Sequence, residues 1–136
     1  MAPREFSAEK LRLKRIYEGP GYDSCTEPAL VCRKVDEIYG PLLFPRLPEE
    51  RSYTYGSFVM SVDGRIAFPE SPDGTLVAKK NMLDPYGGEC DFWILNLLRA
   101  ASDAVIMGSM TLAREPYLTG RIFDPDLTAC RRAAGK

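Results

Sequence analysis

Leu97-Leu98-Arg99-Ala100-Ala101-Ser102-Asp103-Ala104-Val105-Ile106-Met107-Gly108-Ser109-Met110-Thr111 is the most legible stretch of the 136-residue chain. Its first part continues a densely apolar helix from Asp91 to Ala101, which needs at least one buried face. Ser102-Asp103 breaks that helix, and Ala104-Val105-Ile106-Met107 has the short, continuous apolar character of a strand inside a parallel sheet. Gly108-Ser109-Met110-Thr111 then turns into a short helix that runs through Leu112 and Glu115 to Pro116. The order strand, loop, helix, strand predicts a right-handed βαβ unit. In such a unit the turn lies at the carboxyl end of a strand, where free helix N–H groups and the helix dipole favour an anion. Gly108 would allow a sharp turn and close approach of a phosphate, while Ser109 and Thr111 add hydroxyl donors. A capped helix start with no ligand is an equally simple reading of the turn taken alone. It is neither Gly-x-Gly-x-x-Gly nor a P-loop.

Upstream, Tyr53-Thr54-Tyr55-Gly56-Ser57-Phe58-Val59-Met60 is rich in aromatic and β-branched residues and is predicted to be a strand. It leads into Asp63-Gly64, a hairpin turn or a bend beside a site. Pro69 to Gly74 and Asp84 to Gly88 read as loops. Before residue 51 the chain reads as helical and polar. One helix is expected from Ala8 to about Glu18, capped by Ser7, with Leu11, Leu13 and Ile16 apolar. A second is expected from Thr26, as cap, to Tyr39, with Leu30, Val31, Val35 and Ile38 apolar, stopped by Gly40-Pro41. Pro41, Pro45 and Pro48 mark an extended connector. The last residues, Asp126 to Lys136, suit a short helix.

Composition narrows the functional classes. With 18 basic and 19 acidic residues the net charge is −1, so no cationic excess exists to neutralise a nucleic-acid backbone. Apolar runs are too short to span a bilayer, and Met1 to Lys10 lacks the apolar run of a signal peptide. A soluble, cytoplasmic protein with no nucleic-acid or membrane partner is expected. The four cysteines, Cys25, Cys32, Cys90 and Cys130, form no Cys-x-x-Cys pair and are expected as reduced thiols, with no metal bound. Histidine is absent, which excludes every catalytic scheme built on it.

Two blocks in order carry a family resemblance: Phe58-Val59-Met60-Ser61-Val62-Asp63-Gly64-Arg65-Ile66-Ala67, then Leu97 to Thr111. They resemble the reductase domain of the riboflavin-biosynthesis deaminase/reductase family, over about residues 51 to 125. The resemblance implies a dihydrofolate-reductase-like α/β fold and NADPH (NADP) as cofactor. It places Val59, Ser61, Asp63 and Ala67 around the nicotinamide and substrate, Ser61 on the substrate side and Val59 and Ala67 on the cofactor side. It implies that Arg99 binds the substrate's phosphate, that Gly108 and Thr111, with Ser109 between them, form the NADP-binding turn, and that Leu118 and Arg121 face substrate. Asp63 or Glu115 is the implied acid assisting protonation. The sequence departs from the family at Arg114-Glu115-Pro116, one residue short of the usual Ala-Asp-Asp-Pro, and in the loop from Ser71 to Gly88. The family's Ser-x-Trp segment is not evident.

The implied chemistry is hydride transfer from NADPH to a small heterocyclic or phosphorylated substrate, of the 5-amino-6-(5-phosphoribosylamino)uracil reductase type, with Arg99 and Arg121 clamping an anion. The expected organisation is a helical extension with a Pro-rich connector over residues 1–50, then the N-terminal half of the reductase domain over residues 51–136. That half would hold only a partial sheet. The chain is therefore expected to be a fragment, inactive alone, that needs a homo-oligomer or a partner chain to complete the sheet. The alternative is a non-catalytic nucleotide-binding or assembly protein that retains the fold.

Overall fold

A computed structural model describes residues 3–11, 13–25, 27–72, 75–79 and 84–136. It contains five α-helices among these residues: α1 (Arg33–Ile38), α2 (Thr75–Lys79), α3 (Gly87–Ala101), α4 (Ser109–Arg114) and α5 (Pro125–Ala133). A short 3-10 turn spans Tyr22–Ser24.

α3 forms where the sequence places a helix and begins four residues earlier, at Gly87. Its apolar positions Trp93, Leu97, Ala100 and Ala101 recur at helical spacing and are all buried. α5 packs across it and α2 touches it. Asp124 starts α5 by accepting from the backbone N–H groups of Asp126 (2.9 Å) and Leu127 (3.3 Å), with Pro125 in the first turn where its missing N–H costs nothing. The carboxyl end of α3 is closed by cations from α5 and the residues after it. Arg131 Nη1 donates to the carbonyls of Ala100 (3.0 Å), Arg99 (3.3 Å) and Ser102, and Lys136 Nζ donates to Ala101 O (2.6 Å).

The core unites both ends of the chain. Of the twelve buried apolar residues among those described, seven (Phe6, Leu11, Leu30, Cys32, Val35, Ile38 and Leu42) precede residue 50, and five (Trp93, Leu97, Ala100, Ala101 and Leu127) come from α3 and α5. The stretch read as an extension thus supplies more than half of this core. It does so largely without helix. Ser7 O accepts from Lys10 N (3.1 Å) and Leu11 N (3.2 Å), which makes one turn and no more, so the helix expected from Ala8 to Glu18 is absent. Leu11, Leu13 and Ile16 are spaced by two and three, which does not sustain one helical stripe; Leu11 is buried and Ile16 is 91% exposed. The second expected helix shrinks to α1, which Cys32 precedes as N-cap residue. Pro28 and Leu43 form an isolated bridge and Ala29 N bonds Leu42 O (2.7 Å), so residues 28–29 are extended. The expected cap at Thr26 lies outside the described residues. Gly40, at φ +84°, ends α1 with its N–H on Val35 O (3.1 Å), as the Gly-Pro stop predicts.

The expected α/β architecture is not what forms. Among the described residues there is no sheet, only the isolated bridges Pro28–Leu43 and Phe68–Ser71. Residues 53–60 and 104–107 form no regular secondary structure, and no backbone hydrogen bond joins either to another described segment. Their apolar side chains face solvent: Phe58 is 78% exposed and Ile106 91%. The physical reason is that strand propensity fixes backbone shape without supplying partners; an extended chain is stable only inside a ladder. The partial dihydrofolate-reductase-like sheet and the βαβ unit are therefore corrected to a helical unit with two irregular stretches that lack backbone partners.

Candidate functional site

The residues singled out by sequence fall into three groups. The first is the turn Ser61–Arg65. Gly64 N bonds Ser61 O (2.9 Å), Ser61 N bonds Arg65 O (2.9 Å), and Gly64 sits at φ +83°, a conformation glycine adopts without strain. Ser61 Oγ donates to Asp63 Oδ1 and accepts from Arg65 N (3.1 Å), while Arg65 Nε pairs with Asp63 Oδ2 (2.9 Å). The Ser61 hydroxyl, with Arg65 behind it, holds the Asp63 carboxyl below its ordinary range. Asp63 is thus an exposed carboxylate held in its ionised form, suited to accepting a hydrogen bond and poorly suited to proton transfer in either direction. Val59 and Ala67 flank the turn, each half-buried.

The second group lies at the end of α3. Arg99 is 93% shielded, being 7% exposed, and Nη1 donates to Arg121 O (3.1 Å). Nε is buried with no hydrogen-bond partner, and no described carboxylate forms an ion pair with the guanidinium. Burial pushes its pKa down, but a guanidinium stays charged at neutral pH. Arg121 is exposed, with its guanidinium over the Phe123 ring at 5.7 Å. Leu118 is half-buried, and its N–H bonds Glu115 O (2.9 Å).

The third group is Gly108, Ser109 and Thr111 at the start of α4. This helix has six residues, none buried, and Gly108 caps it at φ −69°, ψ 147°, an ordinary extended conformation. A Cβ at Gly108 would meet only Thr111 Oγ1, at 3.8 Å. Neither backbone strain nor crowding therefore requires glycine here, which removes one physical argument for a phosphate turn. Glu115 ends α4 and is half-buried. The Leu118 N–H bond to Glu115 O joins the second group to the third, while the bonds of Ser61, Asp63 and Arg65 given above stay within their own turn.

Comparison of the chain with protein-family models, with curated proteins and with solved structures finds no match.

The sequence reading missed the best-ordered polar cluster. Asp124, fully buried, accepts from Trp93 Nε1 (3.1 Å) and pairs with Lys34 Nζ (2.9 Å), which also reaches Asp126 Oδ2 (2.9 Å). Burial works to lower the Lys34 pKa, but the two carboxylates outweigh it and hold the ammonium above its ordinary value. Asn96, buried beside it on α3, accepts from Phe123 N (2.6 Å). Asp124-Pro125 carries a readable cap signal; the partnership with Lys34, ninety residues away, has none. Two shallow clefts, one around Arg15 and Tyr39 and the other between Phe6 and Cys130, contain none of the sequence-selected residues. Among the described residues there is no group of three or more potential metal ligands, and no helix long and apolar enough to cross a membrane.

Proposed function

We propose that this chain serves an NADPH-dependent reductase of the riboflavin-biosynthesis type, acting on a small phosphorylated or heterocyclic substrate, with Arg99 as the anion-binding residue. The observation that carries this reading is Arg99 itself: a buried guanidinium with a vacant Nε and no carboxylate partner among the described residues. A cation so placed is costly unless an anion meets it, and a phosphate ester fits the fork of an arginine. The two ordered blocks, Phe58 to Ala67 and Leu97 to Thr111, support the reductase chemistry. Val59, Ser61 and Ala67 then serve cofactor and substrate, Gly108, Ser109 and Thr111 the cofactor phosphates, and Leu118 and Arg121 the substrate. Asp63, being ionised, accepts a hydrogen bond from a donor group of the substrate, and Glu115 is the second carboxyl of the proposed site.

The active form gathers these groups with the help of a second chain, either another copy or a separate partner. The exposed apolar side chains of Phe58, Met60, Val105 and Ile106, on backbone with free N–H and C=O groups, support this. The full chain should be titrated by calorimetry with NADPH and, separately, with inorganic phosphate. Binding of both is expected, and Arg99→Met should lose at least tenfold in phosphate affinity while keeping NADPH, since about 1.4 kcal/mol is tenfold. A well-folded oligomer that binds neither would sink the enzyme reading and leave the non-catalytic assembly protein.

A further inference from the structure

Lys34 of α1 reaches Asp126 of α5 in an ion pair at 2.9 Å, which marks a narrow seam where the two short helices approach. On α5, Asp126 and Cys130 are four residues apart and so lie one turn apart on the same face. On the opposite side, Cys32 precedes Lys34 by two residues at the start of α1. Both cysteines line one cleft, together with Phe6, Ser7 and Ala129. Cys32 belongs to the core and Cys130 packs against it, and both are free thiols. Cys25 and Cys90 do not line this cleft.

We propose that Cys32 and Cys130 are a redox pair that closes a disulfide across the α1–α5 seam when a disulfide oxidant such as oxidised glutathione is present. One cysteine, after giving its proton to solvent, attacks a glutathione sulfur; the S–S bond of glutathione breaks, and one glutathione leaves as thiolate and takes up a proton. The second cysteine, likewise deprotonated, attacks the protein sulfur of the mixed disulfide and displaces the other glutathione. Two protein thiols lose two electrons, and one glutathione disulfide becomes two thiols. Burial, with Cys32 beside it, pushes the Cys130 thiol up to about 12, so its thiolate is scarce and exchange is slow at neutral pH. Once formed, the bond ties the N-terminal half of the core to α5. In the unfolded chain it closes a loop of about a hundred residues, for which a rise in melting temperature on the order of 10 °C is expected.

The full chain should be equilibrated with oxidised glutathione, alkylated, and digested with trypsin. The expected product joins the peptide of residues 16–33 to that of residues 122–131, disappears on reduction, and accompanies the rise in melting temperature. Because the first peptide also holds Cys25, the Cys25→Ser chain is digested in parallel with the wild type, in which fragment ions distinguish Cys25 from Cys32. Recovery of Cys32 and Cys130 as free or singly glutathionylated residues at equilibrium, or of Cys130 joined to Cys25 or Cys90, would overturn the proposal.

Discussion

α3 and the stretch from Ser102 to Tyr117 adjoin in sequence and are both rich in apolar residues, yet one is the centre of the core and the other is open to solvent. Trp93 and Leu97 have no exposed surface, whereas Ile106 and Tyr117 are more than nine-tenths exposed. The same contrast separates the buried segment from Leu30 to Leu42 from the exposed one between Tyr53 and Ile66. A helix closes its own backbone hydrogen bonds and needs only one covered face. An extended segment needs a neighbour for its backbone before its side chains can be buried at all. Neither apolar content nor helix formation alone divides the molecule: α4 closes its own backbone bonds yet buries no residue, while Phe6, Leu11, Leu30 and Leu42 are buried from irregular backbone, so what decides is whether a segment packs against α3 and α5.

Three substitutions probe this division. Leu97→Ala removes a fully buried side chain from the helical unit and is expected to cost about 3–5 kcal/mol in urea denaturation. Asp124→Ala removes the α5 cap and leaves Trp93 Nε1 unpaired and Lys34 with Asp126 alone, an expected cost of about 3 kcal/mol. Lys34 has its folded pKa raised, so its share of that stability is fully present below the unfolded value of about 10.4 and is lost as pH rises through the folded one. The gap between wild type and Asp124→Ala should accordingly hold from neutral pH to about pH 10 and narrow beyond it. Ile106→Ala, in the open stretch, should change stability by less than about 0.5 kcal/mol. A cost for Ile106→Ala comparable to that of Leu97→Ala would erase the division.

What could be read in advance follows the same physics. α3 was legible because Trp93, Leu97 and Ala101 recur every fourth residue and need no distant information. The carboxyl end of α1 was marked by Gly40, a local signal with a local cause, whereas its start at Arg33 and the Asp124 cap of α5 were not read. Phe6, Leu11 and Leu42 were not legible as core, because irregular backbone buries side chains through tertiary contacts that leave no period. The strands at 53–60 and 104–107 were read from side-chain type alone, which describes the shape of a segment but not its partner. Of the candidate site, the Ser61–Arg65 turn formed where Asp63-Gly64 indicated, while the burial of Arg99 was not read in advance. The turn at Gly108 has the helix start but lacks any surface built around it.

The division is tested most directly by amide hydrogen exchange on the full chain, dilute enough to be monomeric. Slow exchange is expected in α3 from Trp93 to Ala101 and in α5 from Thr128 to Arg131, where backbone bonds lie in a packed core, and unprotected exchange is expected at residues 53–60 and 104–107. Protection of residues 104–107 equal to that of α3 in the monomer would contradict the account, because it would require a backbone partner that the helical unit does not provide.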